Sequence, residues 1–297
     1  MEDTIVIKYL DTIKFMDNPS QTTEANLEPT NTKLIWLTCT LLTALFAPTI
    51  VWLWDRWTMG VWHNGHSILI AGVVIYLIWK ELQNNNALTK SSSPLGFALL
   101  IPALLLLMLD TGIHTQLLSA AALFLALPGL SLLFLGIKRT KVILFPLSML
   151  LFTLPIPLAF TESIHLALRH IAAKSVGWLL RQFGVPNFTS GTLIEIPNGS
   201  LQVADACSGF SILYATITIA ILTAYMCPSI IRRILVLAIA IPLAIGVNVI
   251  RVFVLTMLVH WIGLDVLATS AHEISGLLTF VVALPIIFWL GQAPIEE

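Results

Sequence analysis

Residues 234–257 read ILVLAIAIPLAIGVNVIRVFVLTM, an apolar run interrupted by one amide, Asn248, and one charge, Arg251. As a helix at ~1.5 Å per residue, such a run crosses roughly 30 Å of hydrocarbon. Lipid offers no partner to backbone N–H and C=O groups, so the segment has to satisfy them itself by coiling. A guanidinium inside the run is costly, and that cost asks for a partner at the same depth.

The rest of the chain is built the same way. Of its 297 residues 57% are hydrophobic and 10% charged, and the mean hydropathy is +0.91. This composition excludes an ordinary water-soluble globule and predicts an all-α, polytopic integral membrane protein. A net charge of -1 leaves no basic stripe for nucleic acid. Further apolar runs lie at Leu34–Trp54, Ser67–Trp79, Leu95–Leu109, Leu117–Ile137, Val142–Phe160, Gly209–Met226 and Ile274–Leu290. About eight transmembrane helices are therefore expected. The first run starts too late and is too long for a cleavable signal peptide. The second is shorter than the usual ~20 residues and needs Trp62 or the Trp79-Lys80 end as an interfacial anchor. Residues 1–33 read as a polar cytoplasmic tail and 34–297 as one polytopic membrane domain.

Cytoplasmic loops are enriched in Lys and Arg, and with the N-terminus inside, ten of the fifteen fall on that side. Lys138-Arg139-Thr140-Lys141 and Arg232-Arg233 lie inside, whereas the loop from Asp110 to Gln116 lies outside without a Lys or Arg. The longest outer segment changes periodicity along its length. From Ile164 to Phe183, apolar Leu168, Ala172, Val176, Leu179 and Leu180 recur at helical spacing opposite Arg169, His170, Lys174 and Arg181, which predicts a helix lying in the interface. After Gly184-Val185-Pro186-Asn187, the pattern Thr192–Ile196, Pro197-Asn198-Gly199-Ser200 and Leu201–Val203 predicts a short β-hairpin. The hairpin delivers Cys207 to the start of the sixth span.

That topology brings Cys207, Arg251 and His272 to one depth at the outer face. A thiol, a guanidinium and an imidazole are the parts of a cysteine peptidase or transpeptidase. The start of a helix favours the thiolate. Asn248, three residues before Arg251, shares its helix face and is positioned to orient a carbonyl or stabilise an oxyanion. Asp205 and Ser208 flank the thiol as further substrate-orienting candidates. Cys39, within the first span, reads as an inert buried hydrophobe. Cys227 lies about 30 Å from Cys207 at the other end of the sixth span, too far for a disulfide. His63, His66, His114, His165 and His170 read as polar surface residues, and His260 as a rival base to His272. No histidine pair has zinc-motif spacing, and neither a phosphate loop nor a dinucleotide glycine pattern occurs, so no metal or cofactor is expected.

Val203-Ala204-Asp205-Ala206-Cys207-Ser208-Gly209, then Asn248-Val249-Ile250-Arg251, then His272 with Gly276 and Phe280 beyond, resembles the exosortase/archaeosortase family. The likeness extends to His63-Asn64-Gly65-His66-Ser67, Phe145-Pro146-Leu147, Leu154-Pro155-Ile156-Pro157 and Ile196-Pro197-Asn198-Gly199. It covers the chain from about Trp57 onward. Asp205 stands where the family's common pattern has Glu. The resemblance implies catalytic roles for Cys207, Arg251 and His272 in a bacterial inner-membrane enzyme. Its substrates would be membrane-anchored proteins with C-terminal sorting signals of the PEP-CTERM type, cleaved through a thioester and passed to a lipid or glycan amine or to water. A transporter or a noncatalytic component of exopolysaccharide export are the alternatives. The transporter is disfavoured because the polar residues gather at one edge and not at the midplane.

Overall fold

The computed structural model describes residues 32–58, 66–88, 91–204, 207–265 and 271–292, with backbone alone for residues 32–35, 66, 158 and 271–273. Among them are eight α-helices: α1 (Thr32–Thr58), α2 (His66–Asn84), α3 (Phe97–Ile113), α4 (Leu117–Met149), α5 (Leu158–Gln182), α6 (Phe210–Met226), α7 (Ile230–Ile262) and α8 (Ala271–Gly291). Six of these helices are long and apolar enough to cross a membrane, and α6 is a shorter apolar helix. The protein is a multi-pass membrane protein. The second apolar run reaches a spanning length because α2 continues through Lys80-Glu81-Leu82-Gln83 to Asn84. The expected polar tail, apart from its last two residues, lies outside the described residues.

The fourth and fifth expected spans meet without a loop. Helical geometry runs from Leu117 to Met149 except at Gly136, whose φ of 79° and ψ of 176° break it. Ser131 and Thr140 would stand about 13.5 Å apart along a straight helix, yet their hydroxyls are 2.8 Å apart. The chain therefore doubles back at Gly136 and forms two arms. A Cβ at Gly136 would lie 2.1 Å from the Ser91 carbonyl oxygen, and the left-handed φ makes glycine the residue that fits. The turn is pinned by Arg139, which is 9% exposed. Its Nε donates to the Leu88 carbonyl at 2.9 Å and its Nη2 to the Asn86 carbonyl at 3.0 Å. The second arm ends in a 3-10 turn at Leu150–Thr153, short of the expected Phe160. Pro155 and Pro157 halt it by removing backbone donors and biasing the residues before them away from helix. Phe160 belongs to α5, which begins at Leu158 and not at Ile164.

Helices α1 to α3 pack on α4, while α6, α7 and α8 pack on one another. Tyr225 joins the two groups, stacking on Phe145 at 3.9 Å and donating to Glu81 Oε1 at 3.3 Å. Helix α5 lies against α7. Its buried stripe of Leu168, Ala172, Val176 and Leu180 is the one its periodicity predicts, and Arg181, Lys174 and His170 are exposed opposite.

The expected hairpin is present and carries an additional strand. The antiparallel sheet has the order β1 (Phe188–Ser190), β2 (Leu193–Ile196), β3 (Gly199–Gln202). Ile196 pairs with Gly199 across the turn Pro197-Asn198, and Leu193 with Gln202. Strand β1 pairs Phe188 with Glu195; at three residues it is too short to show an alternation. Inward-facing Ile194, Ile196 and Val203 close a core with Ala172, Val176 and Leu180 of α5 and with Val252 and Val259 of α7. This core fixes the sheet, and through it Cys207, over the Arg251 half of α7.

Candidate functional site

Three chain segments meet just past the middle of α7. The first is the turn between β3 and α6, in which the Cys207 N–H donates to the Ala204 carbonyl at 2.9 Å. Cys207 is half-buried and packs against the core, as do Val249 and Phe253 of α7. The second is α7 itself. The Asn248 amide, 3% exposed, donates from Nδ2 to the carbonyls of Cys207 at 3.3 Å and Ser208 at 3.2 Å. Asn248 therefore grips the turn that carries the thiol. The third is the start of α8, where Ser275 Oγ accepts from Arg251 Nε at 3.2 Å.

Gly209 explains why the string is Cys-Ser-Gly. Its φ of 83° is left-handed, and a Cβ there would stand 2.4 Å from Asn248 Cγ. Glycine both permits the turn and lets the Asn248 amide approach the backbone. Asn248 Oδ1 is buried without a hydrogen-bond partner among the described residues.

Ser208, 1% exposed, accepts the Phe210 N–H at 3.3 Å and joins His165 Nδ1 at 3.0 Å. His165 was expected on a polar surface. It is instead 8% exposed and stacks on Phe210 with ring centroids 4.4 Å apart. The signal was present in the spacing, because Thr161, His165, Leu168 and Ala172 continue the buried stripe of α5 at intervals of four, three and four. Cys39 corrects the same way in reverse: it is exposed on α1, while Cys227 is the buried cysteine.

Burial raises the Cys207 thiol above its ordinary range, and the Arg251 charge pulls it back down. Burial is the larger of the two effects, so the thiol has to lose its proton before it can react. His272 is the second residue of α8, one helical turn before Ser275. Its side chain, and all of Asp205, His63 and the backbone at 266–270, lie outside the described residues. His260 sits under the hairpin turn, its carbonyl accepting from Asn198 Nδ2, about 13.5 Å along α7 from Arg251. No group of three or more His, Cys, Asp or Glu suited to a metal occurs among the described residues.

A cleft of about 300 Å³ opens beside the thiol between β3 and α7. Ser200, Gln202 and Ala204 form one wall, Val252, Leu255 and Thr256 the other, and Cys207 lies within it. Its size matches the lower end of small-ligand sites, about 300–1,000 Å³.

These features define a class: a multi-pass helical membrane protein that holds a thiol, a guanidinium and a cleft at one end of its helices. The chain matches the family model described as transmembrane exosortase over residues 54–289, and it belongs to that family. At the family level it is a membrane-embedded sorting transpeptidase. No curated protein and no solved structure matches the chain.

Proposed function

We propose that the chain is a cysteine transpeptidase of the inner membrane, with both termini cytoplasmic and its site on the periplasmic face. It cleaves C-terminal sorting signals of the PEP-CTERM type from membrane-anchored proteins. The observation that carries this reading is that α7 joins the Cys207 turn through Asn248 and the start of α8 through Arg251, with a cleft lined by Cys207 and Val252 alongside.

Cys207 Sγ gives its proton to His272 and, as thiolate, attacks the scissile carbonyl carbon and forms an S–C bond, and the carbonyl electron pair moves to oxygen. Arg251 stabilises the negative charge, first on sulfur and then on that oxygen. Collapse breaks the C–N bond, and His272 supplies the proton to the departing amine. The thioester then takes an amine acceptor or water, whose proton His272 receives, and the thiolate leaves. Embedding the enzyme fixes the depth at which the substrate's anchor presents its peptide bond.

The test is processing of a co-expressed protein that ends in such a signal, read as a gel shift, by the wild type and by Cys207→Ala at equal membrane abundance. Loss of processing is expected. Full processing by Cys207→Ala would remove the thiol from the reaction.

A further inference from the structure

The two edges of the small sheet differ. β1 packs against α5, whereas β3 lines the cleft that contains Cys207. The groups on the β3 edge that no strand among the described residues pairs follow from the register. In an antiparallel pair, residues alternate between those bonded to the neighbouring strand and those whose N–H and C=O point the other way. The Val203 N–H donates to the Thr192 carbonyl at 2.9 Å, which sets the phase. Leu201 and Gly199, opposite Ile194 and Ile196, then face β2. Ser200 and Gln202, which line the cleft, turn their backbone N–H and C=O away from β2.

We propose, resting on the transferase reading above, that the substrate's extended segment adds to this sheet as a fourth strand. Its backbone bonds to Ser200 and Gln202, and its scissile carbonyl reaches Cys207 where the edge ends. The edge ends there because the Ala204 carbonyl already accepts the Cys207 N–H. An extended peptide is the occupant that fits. A strand edge recognises backbone regardless of sequence, and pockets for alternate side chains then give specificity. Here Val252 and Leu255 of α7 supply an apolar floor. Every second substrate side chain meets that floor, which selects small or apolar residues at alternate positions, while the others face outward.

The test uses the co-expressed protein with a PEP-CTERM-type signal as probe, with wild type, Cys207→Ala, Gln202→Ala and Gln202→Pro compared at equal membrane abundance. Proline is tolerated on an edge strand where its missing N–H faces outward, so Gln202→Pro spares the β2 pairing and removes one docking donor. Processing by Gln202→Pro is expected to fall at least tenfold below that by Gln202→Ala. Equal processing by the two, with Cys207→Ala inactive, overturns the strand addition and leaves the thiol chemistry standing. No processing by the wild type removes the reaction, and this inference with it. Should Gln202→Pro fail to accumulate, disulfide trapping decides. In a chain carrying Cys207→Ala, Cys39→Ser, Cys227→Ser and Ser200→Cys, single cysteines are scanned along the probe. Cross-links at every second position are expected, and an unpatterned or three-to-four-residue spacing overturns the proposal.

Discussion

The corner around Arg139 and the end around Cys207 use the same material for opposite purposes. Each has an arginine within an apolar helix and a glycine in a left-handed conformation. At the first, Arg139 Nε and Nη2 end on two backbone carbonyls, and Gly136 lets the chain reverse against Ser91. The charge is spent on closing a turn. At the second, Arg251 Nε rests on a hydroxyl, Ser275 Oγ, and its charge acts on a thiol. The backbone carbonyls at that end are gripped by a neutral amide, Asn248. A charge taken out of water is costly in either place, so the partner, and not the residue type, separates a structural cation from a chemical one.

The comparison breaks first at Arg139. Arg139→Ala leaves the Asn86 and Leu88 carbonyls without their charged donor, a loss of about 2–4 kcal/mol. A lowered unfolding midpoint in detergent is expected, with the processing rate per folded enzyme unchanged. A change in rate at unaltered stability would mean that this corner, too, serves the reaction.

Gly209 and Asn248 sharpen the contrast, because they interlock. Gly209→Ala costs about 1–2 kcal/mol from the left-handed backbone alone, and its new Cβ also meets the Asn248 amide. Asn248→Ala frees that space but removes the Asn248 donor from the Cys207 and Ser208 carbonyls. Each single variant is expected to reduce processing, and the double variant less than the sum of the two, with a coupling of about 0.5–3 kcal/mol. Strict additivity in a double-mutant cycle on processing rates would mean that Asn248 does not hold the turn.

Much of this was legible in the chain. The apolar runs named the spans because lipid forces helix on any segment of that composition, and the change from helical to alternating period between Ile164 and Val203 marked α5 and the hairpin. The limits of the spans were less legible. Gly136 turns the chain with no polar loop, so charge alone located the reversal, and Pro155 and Pro157 ended an arm that hydropathy carried on to Phe160. At the site, the sequence placed Cys207, Asn248 and Arg251 at one depth, but depth does not say which atoms meet. Only the packed structure has Asn248 bonded to the carbonyls of the Cys207 turn. His165 was passed over because a histidine among basic residues looks like surface, although its position on the Leu168 stripe pointed inward.

The smallest expected effect bears most directly on the difference between the two arginines. Burial holds the Cys207 thiol up and the Arg251 charge draws it down, so removing the charge while keeping a polar side chain, as in Arg251→Gln, raises the thiol further. The thiolate is the reactive form. Below the thiol's pKa its fraction falls about tenfold for each unit of upward shift. Alkylation of Cys207 by a small maleimide near neutral pH, in a chain with Cys39 and Cys227 replaced by serine, is therefore expected to slow by up to about tenfold in Arg251→Gln. The variant should regain the wild-type rate as the pH rises toward the higher pKa. Arg139→Gln leaves this profile where it was, since its donors end on carbonyls at the other corner. A rate unchanged by Arg251→Gln would mean that the guanidinium does not reach the thiol in the membrane, and that the contrast lies in burial alone.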